Sequence, residues 1–544
     1  MSVSDRIDAV SRRFKRRSPS DVQTLVLALL AGSVALAVLT PLLWVLNSAR
    51  SVPIDRFLEI LLRQTTFDIL LNTVVLVVAV TALSILIGVP LAVLTAQTDM
   101  PFRRLFTVLA ALPLVVPSYI GAFAFVSAFG PRGELATVLA PLGIEQIPSI
   151  YGLGGSVIVL TLFTYPYVFL TTRASLLSID GRSVEAARTL NHTRLAAFRR
   201  VTLPQLKPGI AAGALLVALY TLSDFGTPAI MQFDVFTRII YVRTTARQVD
   251  IASIFSILLV GLTVVILLAE SRIERGGETS AYVNRGTDRP GVVRLGRWRW
   301  VATLFPLAIA ALALALPPAI LLTWLGRSTP ELAGAAVDFR WEFAWNSVLV
   351  SGLAAGVSVL AALPLAYLSA RGEGRLASLP ERASYVGYAV PGVIVGFGLL
   401  SVALNVTPFL YGSIAVLVFA YVVRFLPQAV GTTRSSILQV DPQLLEAART
   451  LGKPPLAAFR KIVLPLVMPG IVAGAALVFL TSMKELAATL LLRPFGFETL
   501  VTYIWQVQEA AVYGQAAVPA LVLIGISALS MLVILGRERY DVKE

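Results

Sequence analysis

Twelve apolar blocks of about 20 residues or more constrain this chain more than any other feature. At 1.5 Å of rise per residue, one such block crosses a hydrocarbon core of about 30 Å. Lipid offers the backbone no hydrogen-bond partner, so only helices or a closed barrel can span it, and continuous blocks rather than alternating short strands select helices. Six blocks fall near 24–47, 69–95, 105–129, 153–172, 207–231 and 251–270, and six more near 301–325, 345–369, 384–406, 411–431, 466–492 and 515–536. Hydrophobic residues make up 57% of the chain and charged ones 14%, against about 45–50% and about 25% in an ordinary soluble domain. The expected fold is all-α and polytopic, with about 12 transmembrane helices. The first block is too long for a signal-peptide core and has no A-x-A exit, so it reads as a retained helix.

The 45 Lys and Arg against 31 Asp and Glu raise the question of nucleic acid. With the N-terminus in the cytoplasm, however, basic residues favour the cytoplasmic segments by about three to one, so the excess is a topological signal and leaves no basic patch for nucleic acid. Cysteine is absent and His192 is the single histidine, which excludes disulfides, thiolate metal sites and a His-cluster metal site. His192 itself reads as a polar loop residue.

The chain repeats itself. EAARTLNHTRLAAFRRVTLPQLKPGI, Glu185 to Ile210, and EAARTLGKPPLAAFRKIVLPLVMPGI, Glu446 to Ile471, share 16 of 26 positions at an offset of 261. Upstream the offset becomes 274, where VPLA at Val89 answers LPLA at Leu363. The expected organisation is a cytoplasmic basic tail over residues 1–23, a first transmembrane repeat over 24–270, a cytoplasmic linker over 271–300, a second transmembrane repeat over 301–536 and a cytoplasmic tail over 537–544. The two six-helix repeats are expected to run parallel, related by a pseudo-twofold axis along the membrane normal.

Each repeated segment falls between the fourth and fifth spans of its half, on the cytoplasmic side. It reads as two short helices around a turn, with Gly452 in one copy and Asn191 in the other able to supply a positive φ. Leu195, Phe198 and Val201, like Leu456, Phe459 and Ile462, recur at helical spacing among basic residues, and Pro204 and Pro465 are expected to end this short helix. A basic amphipathic segment can rest on lipid headgroups, but two symmetric copies suit a symmetric two-subunit partner.

EAA, three residues, Gly, then a phenylalanine and a Leu-Pro pair resembles the signature loop of permease subunits of bacterial binding-protein-dependent ATP-binding-cassette importers. Glu185, Ala186, Ala187 and Glu446, Ala447, Ala448 match its opening and Gly452 its glycine, whereas Asn191 departs from it. The resemblance implies that the short helices, with Leu195, Phe198, Leu456 and Phe459, are coupling helices. It further implies two copies of a nucleotide-binding ATPase subunit that hold ATP and Mg, an extracytoplasmic substrate-binding protein, and a bacterial or archaeal cytoplasmic membrane with both termini in the cytoplasm. Fused two-by-six permeases of this length resemble the ferric-iron importers, with thiamine permeases close behind, and Lys484 to Leu500 is similar to the iron group.

No G-x-x-x-x-G-K-[ST] segment occurs, so the chain is not expected to be its own ATPase or an enzyme. Asp224, Lys484 and Glu485 are the ionisable residues placed inside the bilayer, where an uncompensated charge is expensive. They are candidates for the translocation path, and equally for a structural ion pair in which Lys484 neutralises either carboxylate; no metal site is firm among them. Arg424 is read as snorkelling, with no role. The stretches 130–151 and 233–250 are expected to be external docking loops, and the prolines of LPLVVPSYIGAF and YAVPGVIVGFG to kink or break the third span of each half, providing a gate or merely kinked packing. A proton- or sodium-driven secondary transporter, with Asp224 and Glu485 as coupling carboxylates, is the reading from a different class.

Overall fold

The computed structural model describes residues 19–130, 133–135, 140–142, 149–179, 189, 193, 196, 198–275, 291–327, 339–372, 375–510 and 512–538. Among them ten helices are long and apolar enough to cross a membrane, or twelve when two sharply bent pairs each count as one span. The first half contains α1 (Pro19–Arg50), α2 (Ile54–Leu61), α3 (Gln64–Gln97), α4 (Arg103–Ala111), α5 (Ser118–Phe129), α6 (Leu153–Ser178), α7 (Leu203–Ser223), α8 (Gly226–Ile230), α9 (Phe236–Thr245) and α10 (Val249–Arg275). The second contains α11 (Trp298–Ala310), α12 (Leu316–Arg327), α13 (Trp341–Arg371), α14 (Arg375–Ala389), α15 (Gly392–Asn405), α16 (Ile414–Gln439), α17 (Pro442–Thr450), α18 (Pro455–Ala458), α19 (Leu464–Ser482), α20 (Ala487–Leu492), α21 (Leu500–Glu509) and α22 (Ala517–Glu538).

The two third spans are broken outright. The helix running to Val115 and α5 meet at 95°, and the helices ending at Ala389 and beginning at Gly392 meet at 104°. Pro117 and Pro391 lack the N–H an uninterrupted helix would need and hold the preceding residue extended, so each break falls at its proline. The fifth spans, read as 207–231 and 466–492, also stop early, at Ser223 and Ser482, before the short helices α8 and α20. Residues 233–250 are not a plain loop: α9 packs back on the bundle and buries Phe236 and Ile240 completely, while residues 245–249 are exposed. Its counterpart α21 buries Leu500, Tyr503 and Ile504.

The halves are not separate six-helix bundles, because their first spans are exchanged. Helix α1 lies against α13, α14 and α15 of the other half, and α11 and α12 lie against α4 and α5. Gly398 permits the first crossing: a Cβ there would fall 2.5 Å from the Pro41 carbonyl oxygen. The second is held by an aromatic cluster in which Phe123 meets the Trp324 ring edge-on at 4.9 Å and Trp324 stacks on Tyr513 at 5.9 Å. The end of the connecting segment is likewise ordered on the first half. Val293 N donates to Gln97 O at 2.7 Å and Leu295 N to Asp99 Oδ1 at 2.7 Å.

Candidate functional site

Two regions carry the sequence-selected residues. In the first repeated segment Glu185, Ala186, Ala187, Asn191 and Leu195 lie outside the described residues, while Phe198 is half-buried at the start of a π turn, Phe198–Thr202. In the second, α17 carries Glu446 and Ala447 exposed and Ala448 buried. The Gly452 φ of +75° turns the chain, and Lys453 N donates to Ala448 O at 3.0 Å, a Schellman closure that satisfies a carbonyl at the helix end. Leu456 lies on α18. The Phe459 ring then meets Tyr367 of α13 edge-on at 5.6 Å, fastening the segment to the second span of its half. Pro204 and Pro465 do not end the short helices. Each follows a π turn and occupies the first turn of the next span, where a missing N–H costs nothing, so helix passes continuously into α7 and α19.

The second region is a cavity of about 160 Å³ between the halves, lined by the break residues of the first half's third span and of both fifth spans. Asp224 ends α7, and its Oδ1 accepts from Thr227 N at 2.8 Å, capping α8. Ser118 Oγ, at the start of α5, donates to Asp224, and Tyr220 OH donates to Ser118 Oγ at 3.2 Å. Glu485 does the same for α20, its Oε1 accepting from Ala488 N at 3.1 Å. Asp224 and Glu485 are repeat equivalents, as are Thr227 and Ala488, so the two caps are one device used twice.

The symmetry then breaks. Gly392 stands where the first half has Ser118, and Arg424 where it has Phe163. Arg424 is paired with Glu485, with only 13% and 8% of the two side chains exposed. It therefore does not snorkel; the charge it carries in α16 is compensated inside the bundle. A Cβ at Gly392 would meet the carboxylate and guanidinium ends of this pair, so glycine lets them sit where they do without shifting. Lys484 neutralises neither carboxylate: its Nζ donates to Leu114 O at 2.8 Å across the half-to-half boundary, and no described carboxylate lies within ion-pair distance. The three selected residues thus meet in one cavity, in different roles. Among the described residues no group of three or more His, Asp or Glu could hold a metal ion.

Sequence reasoning missed Ser118, Tyr220 and the role of Arg424. It also missed a repeated anchor for the turned-back helices. Asn72 Nδ2 donates to Asp234 O at 3.1 Å and Thr73 Oγ1 accepts from Phe236 N at 3.2 Å. In the second half Asn346 Nδ2 donates to Glu498 O at 2.9 Å and Ser347 Oγ accepts from Leu500 N at 2.8 Å. The signal was a recurring Asn followed by Thr or Ser at the 274-residue offset.

Comparison with known proteins matches this architecture. The family described as "Binding-protein-dependent transport system inner membrane component" matches twice, over residues 84–275 and 359–537. The chain is 31% identical to the Fe(3+)-transport system permease protein FbpB 2 of Haemophilus influenzae, over 92% of this chain and 96% of that one. It is 25% identical to the ferric transport system permease protein FbpB of Actinobacillus pleuropneumoniae, over 81% and 67%, and 23% identical to the thiamine transport system permease protein ThiP of Escherichia coli, over 83% and 85%. With the family's domain present in both halves, and ten to twelve candidate spans among the described residues, the chain belongs to the inner-membrane permease components of binding-protein-dependent ABC importers.

Proposed function

We propose that this chain is the membrane subunit of an ATP-driven importer that takes ferric iron from an extracytoplasmic binding protein and releases it into the cytoplasm by alternating access. The observation that carries the iron reading is the 31% identity to an Fe(3+) permease along nearly the whole of both chains. Two copies of an ATPase subunit, holding ATP and Mg, would dock on the two repeated segments, around Glu185, Ala186, Ala187, Asn191, Leu195 and Phe198 in one half. Around Glu446, Ala447, Ala448, Gly452, Leu456 and Phe459 the second copy would seat in the same way. These segments, and with them both termini, face the cytoplasm on this reading. Their continuity with α7 and α19 supports transmission, because rigid helix connects the docking surface to the breaks that line the cavity.

In the cavity Glu485 is neutralised by Arg424, whereas Asp224 has no ion-pair partner among the described residues. Asp224 is thus the oxygen ligand open to a passing hard cation in the cavity that Lys484 also lines. A site this sparse suits transit rather than storage, since tight binding would oppose release. Thiamine is the second reading, supported by the Escherichia coli relative and by the four tyrosines, Tyr119, Tyr167, Tyr220 and Tyr388, that line the cavity.

The test is purification of the chain from native membrane with its co-purifying proteins, followed by uptake into vesicles of radioactive ferric iron or thiamine presented by the binding protein. Recovery of a P-loop ATPase with ATP-dependent iron uptake is the expected result. In the same vesicles Ala448→Trp, which fills the buried face of the docking segment, is expected to leave insertion intact and reduce uptake to background. Thiamine uptake without iron would transfer the assignment, and absence of any ATPase from a preparation that preserves such complexes would overturn the importer reading.

A further inference from the structure

A second cavity, of about 510 Å³, opens at the end of the bundle that carries the repeated segments, between the ends of α3 and α6 and the start of α4. Three arginines line it, Arg103, Arg104 and Arg173, together with Gln97 and Thr107, and Val292 of the connecting segment forms one wall. Among the described residues no acidic side chain lines it. Asp99, four residues before Arg103, is engaged elsewhere, accepting from Leu295 N. Arg173 Nε is buried with no hydrogen-bond partner, a state it shares with Arg434 Nε of the second half, so what separates the two sites is counter-charge rather than this atom.

The internal repeat supplies the control. Arg173 corresponds to Arg434, and Thr107 to Glu381. In the second half Arg434 and Glu381 form an ion pair at 3.4 Å, so there the arginine has its counter-ion within the chain. In the first half that carboxylate has become Thr107, whose hydroxyl donates to Arg103 O at 2.8 Å, while Ala377 and Ser378 of the second half are replaced by Arg103 and Arg104. Gln97 stands where the second half has Arg371, so across the lining positions the first site lacks the internal anion and carries one more arginine than its counterpart.

We propose that this cavity binds a phosphate-class oxyanion that takes the place of the missing carboxylate. Guanidinium groups recognise phosphate oxygens through paired N–H donors, and basic pockets between membrane helices on this side are suited to anionic headgroups. The ligand is the phosphate of an anionic lipid reaching in from the bilayer edge or a phosphate free in solution; the chemistry is common to both. Bound there, it joins the ends of α3, α4 and α6 under the connecting segment, beside the point where the chain leaves α6 for the first repeated segment.

The experiment uses the full chain in nanodiscs of phosphatidylcholine, with the thermal unfolding midpoint as readout. One arm titrates inorganic phosphate; the other replaces part of the lipid by phosphatidylglycerol. The wild type is expected to rise in midpoint in at least one arm, and the responding arm identifies the source. Arg173→Gln is expected to weaken the response about tenfold in concentration, the effect of losing one charged hydrogen bond. Thr107→Glu restores the internal counter-ion, so it is expected to fold with an unchanged or higher baseline midpoint and to lose the response. Arg434→Gln, in the second half, lowers the baseline but keeps the response. Indifference of the wild type in both arms, or a full response from Thr107→Glu, overturns the proposal.

Discussion

At the scale of single residues, the cavity shows how a duplicated site diverges while its framework is kept. Asp224 and Glu485 both cap a short helix at the end of a fifth span, a backbone requirement that demands a carboxylate or similar acceptor at that place. Around that shared duty the first half uses neutral hydroxyls, Ser118 and Tyr220, and the second uses Arg424. Removing one member of a buried ion pair leaves the other charge uncompensated, so Glu485→Gln or Arg424→Met alone is expected to destabilise the protein by about 3–5 kcal/mol. The double variant should cost less than the sum of the two, because no buried charge is left behind. Midpoints of the two single variants and the double in one detergent measure this coupling; simple additivity would show that the pair contributes nothing.

At the scale of elements, breaks rather than spans shape the interior. Proline sets the breaks in the third spans, and turned-back helices α9 and α21 fill the space that straight fifth spans would have left. Backbone polar groups at their starts are satisfied by protein side chains, at Asn72, Thr73, Asn346 and Ser347. Close approach of helices depends on small residues, and Gly398 is the sharpest case because backbone of α1 lies against it. Gly398→Val is expected to force α1 away from α15 and destabilise the protein by about 1–3 kcal/mol. Gly352→Val, at a position with open space around the missing Cβ, should leave the midpoint unchanged within about 0.5 kcal/mol. Equal effects of the two would remove the crossing argument.

At the scale of the whole molecule, exchange of the first spans makes the two halves interdependent. The first half without α11 and α12 exposes the face of α5 that carries Phe123, and α1 without the second half has no α14 or α15 to lie on. Residues 1–275 expressed alone are therefore expected to be degraded or to aggregate. Co-expressed with residues 291–544 as a separate chain, they should co-purify as one complex of the intact protein's size. Size-exclusion chromatography of the two preparations decides the matter: a first half that is monodisperse by itself would contradict a shared core.

What the sequence determined by itself is what periodicity and duplication encode. Span number, the two-repeat organisation and the places of the proline breaks all follow from local rules, because lipid compels the backbone to satisfy itself within each helix. The coincidence of Asp224 and Glu485 at equivalent positions was equally legible, since an alignment of the chain with itself displays it. The tertiary structure alone decided which half each first span would join, because an apolar helix in lipid has no polar pattern naming its neighbour. It alone decided the charge pairing as well. Lys484 and Glu485 are adjacent in sequence, yet the break between α19 and α20 sends one side chain to Leu114 of the first half and the other to Arg424, 61 residues earlier in the chain. Partner choice for a buried charge depends on which helix faces it, and that is fixed only when the helices have packed.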